Sequence, residues 1–129
     1  MNLLIDTHVL IWALKDPARL DAATRDALED AENEVFFSAA SIWEIAIKAR
    51  LGRVDFGHGS AEVARIARAT GFVDLPVLAD AAVRIEALPL HHRDPFDRLL
   101  VAQAMAGPFQ LITADPLLKP YSELVTLMA

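Results

Sequence analysis

The sequence predicts an α/β fold in which a parallel sheet carries helices on both of its faces. Short apolar runs of strand length alternate along the chain with longer segments of helical pattern, an arrangement that favours parallel strands joined by crossover helices. The chain is also 54% hydrophobic, which suits strands buried on both sides. Its 129 residues are enough for one buried core, so we expect a single domain spanning residues 1–129.

The predicted strands are short, apolar and rich in β-branched or aromatic residues, as is typical of buried strands. In chain order they are Leu3–Ile5, Glu34–Ala39, Phe72–Leu75, Phe109–Thr113 and Leu124–Met128. Pro76 closes the third strand, because proline has no N–H to donate to a neighbouring strand.

Apolar residues at helical spacing and end signals predict the helices. They are expected at Thr7–Lys15, Asp21–Asn33, Ser41–Leu51, residues 60–70, Leu78–Ala87 and Pro95–Ala106. Asp16-Pro17 stops the first helix and Gly52 follows the third as its C′ residue. Asp94 is the predicted N-cap of the last, with Pro95 at its first position. A further short helical turn is expected after Asp115-Pro116.

Composition excludes several classes of protein. The chain has no cysteine, which excludes a disulfide framework and a thiolate metal site. No apolar run approaches the ~18 residues of a membrane span, and no basic, apolar leader opens the sequence. We therefore expect a cytoplasmic protein without a membrane partner.

The net charge of −6, from 12 basic and 18 acidic residues, argues against a passive nucleic-acid binder. Two divalent cations would add +4 and leave −2, which is compatible with a phosphodiester substrate. The basic residues also fall into groups that could form a positive rim or simply solvated helix faces. These groups are Lys48, Arg50 and Arg53; Arg65 and Arg68; and His91, His92, Arg93 and Arg98.

Four acidic residues lie where a strand ends or a helix begins: Asp6, Glu44, Asp97 and Asp115. The carboxyl ends of parallel strands share one edge of the sheet, where ligands bind, so these side chains are expected to converge. Converging carboxylates repel one another unless a cation lies among them, and hard oxygen ligands suit Mg²⁺ or Mn²⁺. The sequence therefore predicts a metal site.

Each acid also has a purely structural interpretation. Asp6 can cap the helix that starts at Thr7, and Asp115 can start a turn. Ser41-x-x-Glu44 matches a capping box, and Glu44 can pair with Lys48 one turn later. In the third motif both Asp94 and Asp97 are candidate ligands, with Asp94 the more suitable cap.

Four motifs in this order resemble the PIN domain, and most closely the VapC-type toxins of bacterial toxin–antitoxin modules. The motifs are Leu4-Ile5-Asp6-Thr7-His8, Ser41-x-x-Glu44, Asp94-Pro95-Phe96-Asp97-Arg98-Leu99-Leu100-Val101-Ala102-Gln103-Ala104 and Leu111-Ile112-Thr113-Ala114-Asp115. Each motif alone is weakly specific, whereas the set is specific and covers essentially the whole chain.

The resemblance implies a five-stranded parallel sheet and a Mg²⁺- or Mn²⁺-dependent endoribonuclease. It implies that Asp6, Glu44, Asp97 and Asp115 hold the metal and that a metal-activated water hydrolyses an RNA phosphodiester bond. It also implies a homodimer and a cognate antitoxin that blocks the active site.

The remaining polar and aromatic residues are given structural roles by the sequence. His8, His91 and His92 lack the spacing of metal ligands. Trp12 and Trp43 are expected in the core or at an interface rather than as base-stacking platforms.

Two other functions remain open from the residues alone. A receiver or phosphatase-like phosphotransfer domain also places Asp at strand ends, but Asp6 has no second Asp two residues later, and the late Lys119 follows a turn rather than a strand. Alternatively, the chain is a non-catalytic interaction module whose acids are helix caps. Phosphorylation by acetyl phosphate would identify a receiver, and divalent-metal titration separates the metal site from the interaction module.

Overall fold

A computed structural model describes residues 1–52 and 59–128, which form a single α/β domain around a five-stranded sheet. The strands are β1 (Asn2–Ile5), β2 (Glu34–Ser38), β3 (Val73–Leu75), β4 (Gln110–Thr113) and β5 (Val125–Leu127). Their order is β3-β2-β1-β4-β5, and every neighbouring pair is parallel. The predicted fold class and all five strands are confirmed. Arg53, placed above in a basic group, lies outside the described residues.

The helices cover the sheet between successive strands. They are α1 (Thr7–Lys15), α2 (Ala22–Glu29), α3 (Ala39–Arg50), α4 (Ser60–Thr70), α5 (Ala79–Arg84) and α6 (Pro95–Ala106). Short 3₁₀ helices lie at Pro17–Arg19, Ile85–Ala87 and Pro116–Tyr121. Within the described ranges, no helix has the length and apolar character needed to cross a membrane.

The central strand β1 contributes to a separate core on each face of the sheet. Leu3 and Ile5 pack with Phe37 and Ile45 on one face, whereas Leu4 packs with its neighbours on the other. Successive side chains of a strand point to opposite faces, so this alternation requires helices on both sides. The prediction of a doubly covered sheet is confirmed.

Helix boundaries differ from the sequence prediction at α2, α3 and α5. The fifth helix ends at Arg84 rather than Ala87, because Ile85–Ala87 form a 3₁₀ helix. The third helix begins at Ala39, because the Ser38 hydroxyl accepts the N–H of Ala40 at 3.0 Å and caps it there. Ser41 is therefore inside the helix, and the predicted capping box is wrong. The second helix ends at Glu29 rather than Asn33, because the Asn33 amide donates to the carbonyl of Ala27 at 3.0 Å and turns the chain.

The strand order reverses direction between β1 and β4. The chain first adds β2 and β3 on one side of β1 and then returns to add β4 and β5 on the other. Diverging connections leave a crevice at the carboxyl ends of the two strands where the order reverses. Asp6 directly follows β1, and Asp115 comes two residues after β4, so the topology brings both acids to this crevice.

Candidate metal centre

A cleft of about 650 Å³ lies at this crevice and is lined by acidic side chains. Three of the four predicted acids, Asp6, Asp97 and Asp115, contribute to its walls, together with Asp94. Residues more than 100 positions apart along the chain therefore share one pocket. This convergence is the geometry that a cation site requires.

Asp6 is held rigidly in the cleft by hydrogen bonds to both of its oxygens. Its Oδ1 accepts the N–H of Val9 at 2.8 Å, so Asp6 is the N-cap of α1 as expected. Its Oδ2 accepts the hydroxyl of Thr113 at 2.5 Å. Burial raises the pKa of Asp6, and the bonds from Thr113 and Val9 only partly offset this effect. The residue is thus a cap and a cleft-facing acid at the same time.

Glu44 is buried beside the cleft rather than on its wall. The Thr7 hydroxyl donates to Oε1 of Glu44 at 2.7 Å. The same Thr7 oxygen lies 2.9 Å from the Ser41 hydroxyl oxygen. The Lys48 ammonium donates to Oε2 at 2.7 Å, which confirms the expected i,i+4 pair. Glu44 nevertheless lies close enough for its charge to raise the pKa of Asp6. The structure therefore fixes this carboxylate in orientation next to the acidic cluster.

Asp94 and Asp97 divide the two roles that the third motif left open. Oδ1 of Asp94 accepts the N–H groups of Phe96 at 2.8 Å and Asp97 at 3.2 Å, so Asp94 caps α6. The Asp97 side chain, one turn further on, is only 19% exposed. Burial, with the nearby carboxylates of Asp94, Asp6 and Glu44, raises the pKa of Asp97 to about 7, against a smaller lowering by His92. Burial and the neighbouring carboxylates therefore disfavour the charged form of Asp97.

Asp115 and Asp97 both contact a residue to which the sequence gave no role, His92. The Nε2 atom of His92 lies 3.0 Å from Oδ2 of Asp97 and 3.0 Å from Oδ2 of Asp115. The remaining oxygen of Asp115 accepts the N–H of Leu117 at 2.9 Å. The position of His92 two residues before the Asp94 cap was the one available signal.

The donor set fits a hard divalent cation. Its ligand atoms are carboxylate oxygens, which Mg²⁺ and Mn²⁺ prefer. One oxygen each of Asp94 and Asp97 and a ring nitrogen of His92 also lie within 4.8 Å of one another. The pKa of Asp97 is raised first by burial and then by its acidic neighbours, an electrostatic setting that a bound cation would relieve.

A sequence model of the PIN domain matches residues 3–123 of this chain. The chain belongs to the PIN domain family. It is 32% identical over 125 residues to ribonuclease VapC22 of Mycobacterium tuberculosis, covering 93% of this chain and 92% of that protein. This relationship places it among the VapC-type PIN domains, as the motifs indicated.

Solved structures share the fold of this PIN domain. VapBC2 from Rickettsia felis, bound to a DNA fragment from its promoter, superposes with a TM-score of 0.73 at 13% identity, over 100% of both chains. FitAcB from Neisseria gonorrhoeae gives 0.59 at 19% identity, over 97% of this chain and 96% of that one. The agreement over the full length confirms the fold derived from the strand order.

One wall of the PIN domain cleft is aromatic and basic rather than acidic. Trp12 is half-buried and packs against the core, and the Arg19 guanidinium carbon lies 4.5 Å from the centre of its ring. The His8 ring lies 5.8 Å from the same ring at a tilt of 49°. Cation and tryptophan in this geometry attract each other. Trp12 thus combines the predicted core role with exposure to the cleft.

Trp43 is not a core residue of the PIN domain, since 59% of it is exposed. Its ring contacts Phe96 edge-on at 5.1 Å, on the outside of α3. Its neighbours Glu44 and Ile45 are buried, so Trp43 lies on the exposed side of α3.

The structure gives no support to a phosphotransfer site of the receiver kind. The Lys119 ammonium donates to the carbonyl of Val125 at 2.6 Å and is not among the residues that line the acidic cleft. A lysine held in this way ties the last 3₁₀ helix to β5 and is not directed at an acid of the cleft.

Proposed function

We propose that this PIN domain is a Mg²⁺- or Mn²⁺-dependent endoribonuclease that acts as the toxin of a toxin–antitoxin pair. The observation that carries the proposal is the convergence of Asp6, Asp97 and Asp115 on one cleft, with Glu44 fixed beside it. The similarity to a protein named ribonuclease VapC22 supports the same activity. A non-catalytic interaction module has no need of carboxylates that converge on one cleft.

Asp6 and Asp97 are the residues proposed to hold the principal metal, with Asp115 and Glu44 completing its shell directly or through water. Such an ion, when bound, lowers the pKa of a coordinated water and neutralises charge on phosphoryl oxygens. Two of the four carboxylates are oriented before the ion arrives: Asp6 by Thr113, and Glu44 by Thr7 and Lys48. Ligands oriented by neighbouring hydrogen bonds reduce the cost of assembling the site.

The Arg19–Trp12 wall is proposed to contact the RNA next to the scissile bond. Arg19 is exposed and lines the same cleft as the acids. The protein as a whole carries a charge of −6, so a guanidinium here provides local attraction for phosphate. Trp12 holds the guanidinium in place from below, which lowers the entropy lost when the phosphate binds.

Replacing Arg19 by Gln is expected to raise KM for RNA about fivefold to tenfold with little change in kcat. The substitution removes one phosphate contact of ~1 kcal/mol but leaves the carboxylates in place. Cleavage kinetics at several salt concentrations measure this, and the salt dependence should also become weaker. Arg25→Gln removes the same charge from an exposed position on α2 and should leave KM unchanged. An equal effect of both variants would contradict a local role for Arg19.

The proposed activity is tested by incubating the purified protein with single-stranded RNA. Cleavage is expected with Mg²⁺ or Mn²⁺ and should stop when EDTA is added and resume with excess Mn²⁺. Calorimetry should detect Mn²⁺ binding at millimolar concentration or below. Cleavage that persists in EDTA, or an absence of Mn²⁺ binding, would refute the proposed metal-dependent mechanism.

The proposed partners are a cognate antitoxin that blocks the cleft and a second copy of the chain. Exposed apolar side chains recur at helical spacing along α3 and its C-cap residue Leu51: Trp43, Ile47 and Leu51 are 59%, 37% and 70% exposed. Apolar side chains aligned on one helix face are typical of protein–protein contacts. A short open reading frame immediately upstream that encodes a small DNA-binding protein would identify the antitoxin, and sedimentation would give the subunit number.

A further inference from the structure

We infer that His92 is a positioning residue that holds Asp97 and Asp115 in place for the metal. The inference rests on the proposed metal-dependent function and adds a residue to it. The imidazole Nε2 is 3.0 Å from one carboxylate oxygen of each acid. Asp97 lies on α6 and Asp115 follows β4, so the ring joins two acids that different elements supply.

The contact of the second ring nitrogen shows which of the two nitrogens of His92 carries the proton. Nδ1 of His92 is 3.1 Å from the backbone nitrogen of Arg93. A backbone N–H can only donate, so Nδ1 accepts and the ring proton resides on Nε2. His92 therefore donates its Nε2–H to Oδ2 of Asp97 at 3.0 Å, and the same nitrogen lies 3.0 Å from Oδ2 of Asp115. In this arrangement Nε2 has no lone pair for a metal, and the acids supply the ligand atoms.

The loop that carries His92 is fixed by a tyrosine from the far end of the chain. The Tyr121 hydroxyl accepts the backbone N–H groups of His91 at 3.0 Å and His92 at 2.9 Å. The His91 ring contacts the Tyr121 ring edge-on at 4.9 Å. Two N–H groups on one oxygen determine the direction in which the backbone presents the His92 ring.

The guanidinium of Arg98 fixes the same loop from α6. Its Nη2 atom donates to the carbonyls of Ile85 and Leu88 at 3.2 and 3.3 Å. Its Nη1 atom lies 3.4 Å from the carbonyl oxygen of Pro89 and 3.5 Å from that of His92. Because Arg98 is one residue from Asp97, the loop and the metal-facing acid are tied to the same turn of helix.

The position of Nε2 beside both acids affects how the two carboxylates are arranged before a cation binds. Two carboxylates brought together without a donor between them repel each other and turn apart. Bringing them together again then lowers the affinity for the cation. Because Nε2 lies 3.0 Å from one oxygen of each acid, it keeps these two oxygens close to each other. Outer-shell donors of this kind typically contribute 10- to 100-fold to metal affinity.

The test measures Mn²⁺ affinity by calorimetry for variants that separate donation from bulk. His92→Leu removes the donor and should weaken Mn²⁺ binding at least about tenfold. His92→Gln places an amide N–H near the position of Nε2 and should remain within about threefold of the wild type. His91→Leu is the matched control, because this neighbour is exposed and contacts Tyr121 rather than the acids. It should bind Mn²⁺ as the wild type does.

A further variant guards against misfolding of the leucine protein. His92→Asn retains an amide but places it near the position of Nδ1, short of both acids, so it should bind Mn²⁺ as weakly as His92→Leu. Circular dichroism identifies which variants fold, and the comparison of Gln with Asn stands without the Leu variant.

The outcomes distinguish the inference from the proposed function. Wild-type affinity in His92→Leu or His92→Asn would overturn the positioning role while leaving the nuclease proposal intact. Weak binding by His92→Gln, equal to that of His92→Leu, would overturn it in favour of direct ligation through nitrogen. Failure of the wild-type protein itself to bind Mn²⁺ would overturn the proposed function and the inference with it.

Discussion

Replacing Asp6 by Asn is expected to lower kcat for RNA cleavage by about 1000-fold or more, with the fold intact. The substitution keeps the shape of the side chain but removes a negative charge from the metal-facing cluster. A loss of about 4 kcal/mol in transition-state stabilisation corresponds to this factor. Single-turnover cleavage in Mn²⁺ measures it.

The same substitution separates the proposed metal-binding role of Asp6 from its role as a cap. Asn caps a helix about as well as Asp, so the bond from Val9 survives. Burial raises the pKa of the Asp6 carboxyl, which means that the folded protein holds the charged form at a cost. Without metal, Asp6→Asn should therefore unfold at the same temperature as the wild type or higher.

Asp21 offers a matched control for this experiment. Its Oδ1 accepts the N–H of Thr24 at 2.8 Å and caps α2 in the same way that Asp6 caps α1, outside the acidic cleft. Asp21→Asn should leave both cleavage and stability unchanged. Retained Mn²⁺-dependent cleavage in Asp6→Asn would refute the role given to Asp6.

The metal-free protein is expected to lose stability as the pH rises from about 4 to about 8. The pKa of Asp97 is raised from 3.8 to about 7 in the folded protein, so between these values the folded state binds a proton that the unfolded state has released. Stability from this group is fully present below pH 4 and is lost as the pH passes 7. One pKa unit corresponds to about 1.4 kcal/mol, so the loss is on the order of 4 kcal/mol.

Urea unfolding of the metal-free protein at several pH values measures this effect. Asp97→Asn should flatten the profile between pH 4 and 8, and at pH 8 Mn²⁺ should restore stability to the wild type in proportion to the logarithm of its concentration. Asp74→Asn is the control, because the Arg68 guanidinium lowers the pKa of Asp74 and its titration lies below this range. A wild-type profile that rises from pH 4 to 8 would contradict the raised pKa.

The parts of the fold that depend on local signals were predictable from the sequence. Short apolar runs gave all five strands, and Gly52 ends α3 with a positive φ of 74°, as expected of a C′ glycine. The start of α3 was not predictable, because Ser38 and Ser41 are both acceptable caps and only packing decides between them. The buried contact between Ser41 and Thr7 favours placing Ser41 inside the helix.

The candidate site was predictable only where a residue adjoins a strand or a cap. Asp6 and Asp115 follow β1 and β4, and parallel topology brings such positions together. His92 lies on a loop whose path depends on Tyr121 and Arg98, contacts that span up to 30 residues and that no local pattern encodes. For Trp43 the sequence left core and interface open, because an aromatic residue in an apolar helix gives no sign of which face it occupies; its 59% exposure excludes only the core.

The bond between Thr113 and Asp6, which are 107 positions apart, has a consequence for protein synthesis. A chain still emerging from the ribosome lacks the Thr113 hydroxyl that binds Asp6. It also lacks strand β4, which carries Thr113 and pairs with β1. Translation must have passed Asp115 before the cleft can assemble. The acidic cleft is therefore absent from a nascent chain until the segment that carries Thr113 and Asp115 has been made.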